Sequence, residues 1–147
     1  MTLPTERRIL TAVRSWDLVC TDDHPVLLCA QDLTCLHTQL LDRRHTADQH
    51  HLVQQRCAAT REIDAWVHTT VPMNQRARLH TENLGNVIDR LAQRSALIDA
   101  SGDTTPQEFT YLWNGLLELI VGYRHLSEDL YLGTRRLPSP AHSLGTP

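Results

Sequence analysis

The sequence predicts an all-α fold, an up-and-down bundle of four or five helices followed by a disordered C-terminal tail. Apolar residues recur at three- and four-residue spacing, as they do along one face of a helix. Glycine is scarce, since only Gly85 and Gly102 precede Gly115. No run of β-branched residues alternates with polar ones, which is the pattern that would indicate strands.

The first predicted helix spans about residues 4–19 and carries a single apolar stripe. The stripe repeats at i, i+4 and i+7, the spacing of one helix face, and consists of Ile9, Val13 and Trp16. Asp23 is the predicted N-cap of the next helix. Pro25 fits the first turn of that helix, because the N–H that proline lacks would have no partner there.

The apolar spacing then continues over residues 26–70, which contain no glycine or proline, and it allows one helix or two. A single helix of that length would extend about 65 Å, too long for a compact domain of this size. Thr46 and Gln49 form a weak capping box inside a polar stretch. We therefore predict two helices that meet near Thr46, with one continuous helix as the alternative.

The third and fourth predicted helices have the clearest boundaries. The third spans about residues 79–100 and is followed by Gly102. The fourth begins with Thr105 as its N-cap, Pro106 at its first position and Glu108 at its third, which is a strong start signal.

The end of the fourth helix also marks the predicted domain boundary. Gly133 supplies the helix stop. Residues 134–147 contain three prolines and one glycine and hold little apolar surface to bury. We predict one bundle domain over residues 1–133 and a flexible tail over residues 134–147.

Charge and hydropathy exclude several classes of protein. The formal net charge is −3 and the isoelectric point is near 6.3, which argues against a general nucleic-acid binder. The chain has no apolar run long enough to cross a membrane, and its first residues lack the apolar core of a signal peptide. We expect a cytoplasmic protein with neither membrane nor nucleic acid as a partner.

Polar residues crowd the start of the third predicted helix and form the candidate ligand-binding site. Two of its carboxylates, Glu82 and Asp89, would share one helix stripe with Asn86 at i, i+4 and i+7. Carboxylates so placed suit a divalent cation when a facing helix adds oxygens or imidazoles, and His45 and Asp48 could supply them. The full predicted set is His80, Glu82, Asn86, Asp89 and Arg90.

A structural role for the same residues is the alternative. Glu82 in a first helical turn would interact favourably with the helix dipole. Asp89 and Arg90 would belong to an ion network with partners on neighbouring helices. The candidate partners are Arg61, Asp64 and Arg94.

Gly85 lies inside the third predicted helix, where glycine costs about 1 kcal/mol relative to alanine. We expect the close approach of another helix to offset that cost. The less frequent alternative is the approach of a ligand phosphate.

The fourth predicted helix is apolar around most of its circumference. Tyr111, Trp113 and Leu117 widen its apolar face beyond one stripe. Such a helix is either central in a bundle or part of a subunit interface. We predict that these three residues contribute to a homodimer interface.

Residues 79–91 read LHTENLGNVIDRL. This segment resembles the T-E-x-x-G-x-x-I-D-R-L pattern of a bacterial domain-of-unknown-function family, number 4254 in that series. Residues 36–42, 61–64 and 133–138 look like further parts of the family pattern, without the Trp and Glu that the family has in the first of them. The resemblance implies an all-helical fold and an actinobacterial or phage source. It implies no activity, because the family is uncharacterised.

Two functions remain as hypotheses. The first is a non-enzymatic protein-interaction module that acts as a homodimer and needs no cofactor, since no local catalytic motif is present. The alternative is a hydrolase of a nucleotide or phosphate compound that depends on Mg²⁺ or Mn²⁺. In it, Glu82 and Asp89 would hold the metal and Arg90 would steady a phosphate, by analogy with all-helical nucleotide pyrophosphohydrolases.

Overall fold

A computed structural model describes residues 2–15, 23–42 and 49–139. Within these ranges the chain forms five α-helices and two very short strands, which confirms the predicted all-α bundle. None of the described helices is long and apolar enough to span a membrane. In chain order the elements are α1 (Glu6–Arg14), α2 (Pro25–Leu41), α3 (Gln49–Thr70), β1 (Arg78–Leu79), α4 (Leu84–Asp99), α5 (Pro106–Leu132) and β2 (Arg135–Arg136).

The centre of the bundle is α4, which packs against each of the other four helices. Its buried Leu84, Ile88 and Leu91 repeat at the spacing of one helix face, and each is at most 1% exposed. The α5 helix lies on the outside and packs only against α4, α1 and β2 among the described elements. Its inner face buries Leu116, Ile120, Tyr123, Leu126 and Leu130.

The helix ends follow the local signals in most places. Thr105 Oγ1 accepts the N–H of Glu108 at 3.2 Å, and Gly133 caps α5 in the left-handed conformation with φ 73°, as the sequence predicted. The predicted cap of α2 was wrong by one residue, because His24 rather than Asp23 holds that position. His24 Nδ1 accepts the N–H of Val26 at 3.1 Å, and its buried ring packs 4.7 Å from the ring of Trp66.

The chain between residues 26 and 70 forms two helices, since α2 ends at Leu41 and α3 begins at Gln49. The predicted meeting point at Thr46 lies outside the described residues, as does Trp16 of the first predicted helix. The first helix is shorter than predicted. It ends at Arg14, because Ser15 leaves the helical conformation with φ −116° and ψ 33°.

The start of the third predicted helix and the start of the predicted tail both differ from expectation. Arg78 and Leu79 are extended and pair in parallel with Arg135 and Arg136, so α4 begins only at Leu84. Leu137 is 4% exposed and belongs to the core. The packed domain therefore continues past the predicted boundary at residue 133, and residues 140–147 of the predicted tail lie outside the described residues. This pairing joins segments 57 positions apart, where no local signal predicts strands.

Tyr123 links α5 to the N-terminal segment. Its hydroxyl donates a hydrogen bond of 2.6 Å to the carbonyl oxygen of Pro4. Tyr123 is 1% exposed, and this burial raises the pKa of its hydroxyl, so the group stays neutral and can donate. The bond fixes the chain just before α1 against the inner face of α5.

Replacing Tyr123 with Phe should lower the free energy of unfolding by about 1–2 kcal/mol, because the buried Pro4 carbonyl loses its partner. Urea denaturation of the purified chain measures the change. Tyr111→Phe is the matched control, since Tyr111 is 69% exposed and should change the free energy by less than about 0.5 kcal/mol. Equal effects of the two substitutions would contradict the assignment.

Candidate functional site

The backbones of α3 and α4 approach each other closely at Gly85. A Cβ atom at Gly85 would overlap the carbonyl oxygen of Thr60 and would stand 3.0 Å from Asp64 Oδ1. Only glycine fits at this crossing. The predicted reason for an interior glycine, the close approach of another helix, is confirmed.

Asp64 of α3 caps the N-terminus of α4. The N–H of Gly85 donates to Asp64 Oδ1 at 2.7 Å. Asn83 holds the N-cap position, but its side chain makes no capping bond, and its buried Oδ1 has no hydrogen-bond partner in the described part of the chain. Burial raises the pKa of Asp64, and the hydrogen bond from Gly85 opposes that rise. A carboxylate at a helix N-terminus also interacts favourably with the helix dipole.

One turn further along α4, Asp89 joins three helices. Its Oδ1 lies 2.7 Å from Nε2 of His37 on α2, and its Oδ2 lies 3.5 Å from Nε of Arg56 on α3. His37 is only 5% exposed. A carboxylate that holds an imidazole can orient a general base. Here the imidazole is buried between helices, so the contact ties α2, α3 and α4 together.

The predicted ligand-binding residues separate into two groups rather than forming one stripe. Glu82 precedes the first residue of α4, so it does not share a helix face with Asn86 and Asp89 as predicted. Its carboxylate pairs with Arg90, and its backbone N–H donates to Nδ1 of His80 at 3.2 Å. Asn86 is exposed. The reason for the difference is that Arg78 and Leu79 pair with β2 and residues 81–82 form a bend, so the helix begins two residues after Glu82.

The predicted metal ligands do not come together in the described ranges. No group of three or more His, Cys, Asp or Glu side chains there is arranged to hold a metal ion. Glu82 faces Arg90, whereas Asp89 faces His37 and Arg56, so each carboxylate already has a cationic or imidazole partner. The other predicted ligands, His45 and Asp48, lie outside the described residues.

The alternative prediction was a structural ion network around Asp89 and Arg90. Both residues make such polar contacts, but the partners are His37, Arg56 and Glu82 rather than the predicted ones. Within the described ranges, none of the predicted partners Arg61, Asp64 and Arg94 pairs with Asp89 or Arg90. Sequence reasoning overlooked His37 and Arg56 as partners of Asp89. The one available signal was His37 itself, which lies in a segment resembling the family pattern.

The outer face of α5 forms a second candidate site. Four apolar residues on this face, the α5 stripe, are between 41% and 84% exposed. Arg124 and Glu128 lie on the same face, and their side chains approach only to 3.9 Å. The stripe consists of Leu117, Val121, Tyr131 and Leu132.

The three predicted interface residues lie in different environments. Leu117 belongs to the α5 stripe and is 45% exposed, and Tyr111 is 69% exposed. Trp113 is half-buried, because its ring packs edge-on against Phe109 and lies under the Arg14 guanidinium, 4.9 Å from the ring centre. Phe109 and Arg14 of the same chain therefore cover much of the Trp113 surface.

An apolar groove continues the α5 stripe at its C-terminal end. The groove has a volume of about 630 Å³ and carries Glu128 at its edge. Its apolar walls combine the end of α5 with the N-terminal segment and the turn after α3, through Leu3, Val71, Pro72, Tyr131 and Leu132. The stripe and the groove share Tyr131 and Leu132, so the groove adjoins the C-terminal end of the stripe.

Comparisons with protein-family models, with curated proteins and with solved structures found no match for this chain. The resemblance of residues 79–91 to the bacterial family stays a prediction.

Replacing Gly85 with Ala should destabilise the fold by about 2–3 kcal/mol, because the new methyl group overlaps Thr60. Gly122→Ala is the matched control. Gly122 also lies in a helix, but no atom stands within 4 Å of its added Cβ, so that substitution should stabilise by about 0.5–1 kcal/mol. Thermal or urea unfolding measures both, and a Gly85→Ala variant as stable as the wild type would contradict the crossing geometry.

The titration of Asp64 should also make the free energy of unfolding depend on pH. Its pKa in the folded chain lies above the ordinary value of 3.8, so the folded state binds this proton more tightly than the unfolded chain. The resulting stabilisation is complete below the ordinary pKa and is lost as the pH rises through the folded pKa.

Asp64→Asn keeps an oxygen that accepts the Gly85 N–H but does not titrate. The free energy of unfolding of the wild type minus that of the variant should therefore increase as the pH falls from 7 towards 4. Urea denaturation at a series of pH values measures this difference. A difference that stays constant or decreases would show that burial does not govern the Asp64 carboxyl.

Proposed function

We propose that this chain is a non-enzymatic protein-interaction module that acts as a homodimer through the α5 stripe. The observation that carries the proposal is the exposure of Leu117, Val121, Tyr131 and Leu132 along one face of an outer helix. An exposed apolar patch such as the one that Tyr131 and Leu132 form with the adjoining groove marks an interaction site in a protein that is otherwise well packed. A cytoplasmic location is part of the proposal and rests on the sequence alone.

The charges beside the stripe favour a second copy of the chain as the partner. Arg124 and Glu128 are mostly exposed and pair only loosely within one chain, at 3.9 Å. A two-fold axis that crosses α5 near residue 126 would place Arg124 of each copy beside Glu128 of the other. The same arrangement would place Val121 beside Tyr131. The face is thus complementary to itself, as a symmetric dimer requires.

The groove at the end of α5 supports the same partner. It adjoins the stripe and lies within the typical volume range of binding clefts. Tyr131 and Leu132, at its rim, are 84% and 69% exposed. Tyrosine is frequent among the residues that contribute most to binding when a partner excludes water from them.

Light scattering after size-exclusion chromatography should give a mass about twice the 16.7 kDa of the chain. Val121→Glu should yield a folded monomer, because the charge would be desolvated in the dimer. Val53→Glu is the matched control, since Val53 on α3 is 42% exposed and Val121 is 41% exposed. The proposal fails if the wild type is monomeric at about 100 μM, or if both variants dissociate to the same extent.

A charge exchange tests the symmetric arrangement separately. Arg124→Glu should weaken dimerisation by about tenfold or more, because it places like charges opposite each other. Combining it with Glu128→Arg should restore most of the affinity, since each copy again meets the opposite charge. Failure of the double substitution to restore the dimer would reject this arrangement, while the Val121 result would still decide whether α5 is the interface.

A further inference from the structure

The two short strands bring arginines together on one small surface. Four of the 14 basic residues of the chain lie on or beside the strands, and every basic residue in the chain is arginine. We call this surface the arginine ribbon. It consists of Arg76, Arg78 and Arg135, whereas Arg136, the register partner of Leu79, leaves the opposite face of the strand pair.

Strand pairing places two of these arginines directly opposite each other. Arg78 and Arg135 are register partners in the parallel pair, so their side chains leave the same face of the ribbon about 4.8 Å apart. Like charges directly opposite each other destabilise a strand pair. A two-residue pairing therefore carries an electrostatic cost that an anion would remove.

The chain supplies little negative charge to offset this cost. Asp129 pairs with Arg135 at 3.2 Å, and Arg136 Nε donates to the neutral carbonyl of Ala77 at 3.1 Å. The exposed Arg76 and Arg78 have no ion pair within the described part of the chain. Three guanidinium groups against one carboxylate leave a local charge of +2 on this face, in a protein whose net charge is −3.

The backbone beneath the arginines is well anchored. The N–H of His80 donates to the carbonyl of Arg136 at 2.8 Å, and Asn74 Nδ2 donates to the carbonyl of Gly133 at 2.8 Å. Asn74 Oδ1 also accepts the N–H of Arg76 at 3.1 Å. A ligand would therefore not have to order the backbone, which lowers the entropic cost of binding.

We propose that the arginine ribbon binds an oligophosphate anion. Two guanidinium groups without an ion pair, beside a third that has one carboxylate partner, suit a compact ligand with several negative charges better than a single carboxylate. Guanidinium groups also bind phosphate oxygens in a bidentate manner. Inorganic polyphosphate and the phosphate chain of a nucleotide share this chemistry. The site is independent of the proposed dimer interface.

Isothermal titration calorimetry of the full chain with inorganic tripolyphosphate, at constant low ionic strength, tests the proposal. Arg78→Gln should weaken binding by about tenfold, whereas Arg61→Gln should change it by less than about twofold. Arg61 is the matched control because it is an exposed arginine on α3. Arg76→Gln provides a second variant that leaves the strand pair intact, and it should also weaken binding.

Thermal unfolding separates a binding role from a structural one. Without the anion, Arg78→Gln should melt at or above the wild-type temperature, because it removes a like-charge contact. With tripolyphosphate, the wild type and Arg61→Gln should gain more stability than Arg78→Gln at the same ligand concentration. A nucleoside triphosphate that binds as tightly as tripolyphosphate would identify the phosphate chain as the ligand, and tighter binding would identify a nucleotide. No binding heat, or equal affinities for Arg78→Gln and Arg61→Gln, would overturn the proposal.

Discussion

Thr60 and Gly85 bring the backbones of α3 and α4 into direct contact, and the rest of the polar layer depends on this contact. The helices run antiparallel here, so one turn forward on α4 meets one turn back on α3. That relation places Asp89 opposite Arg56, four residues from Gly85 and Thr60 respectively. Any side chain at residue 85 would push the helices apart and lengthen both the Asp64 cap and the Asp89 contacts.

The buried polar contacts fix the relative positions of the helices more than they increase the free energy of unfolding. A buried contact to a charged side chain gains little net free energy, because desolvation of the charge opposes the attraction. Breaking one is costly, however, because it leaves a charge without a partner. The contact of His37 with Asp89 therefore selects one position of α2 relative to α4, whereas the apolar core alone would tolerate small shifts. Asp64 has the same effect at the N-terminus of α4.

The features that the sequence predicted correctly are local. The Thr105 cap and the Gly133 stop each depend on a few neighbouring residues and on backbone chemistry. The packing role of Gly85 was predicted from the local cost of glycine in a helix, although its partner Thr60 lies on another helix. The strand pair could not be predicted, because residues 78 and 135 are far apart in sequence and two-residue strands have no periodicity. The partners of Asp89 were overlooked for a similar reason. His37 lies 52 positions away, and nothing in the local sequence indicates which helix faces it.

The last turn of α5 separates the two proposed surfaces. Glu128 lies beside the α5 stripe, whereas Asp129 pairs with Arg135 on the arginine ribbon. Neighbouring residues on a helix point about 100° apart, so these two carboxylates serve different faces of the molecule. An anion on the ribbon would compete with Asp129 for Arg135 and would leave Glu128 in place. Dimerisation and anion binding should therefore be separable by substitution, although both surfaces are built on the same end of one helix.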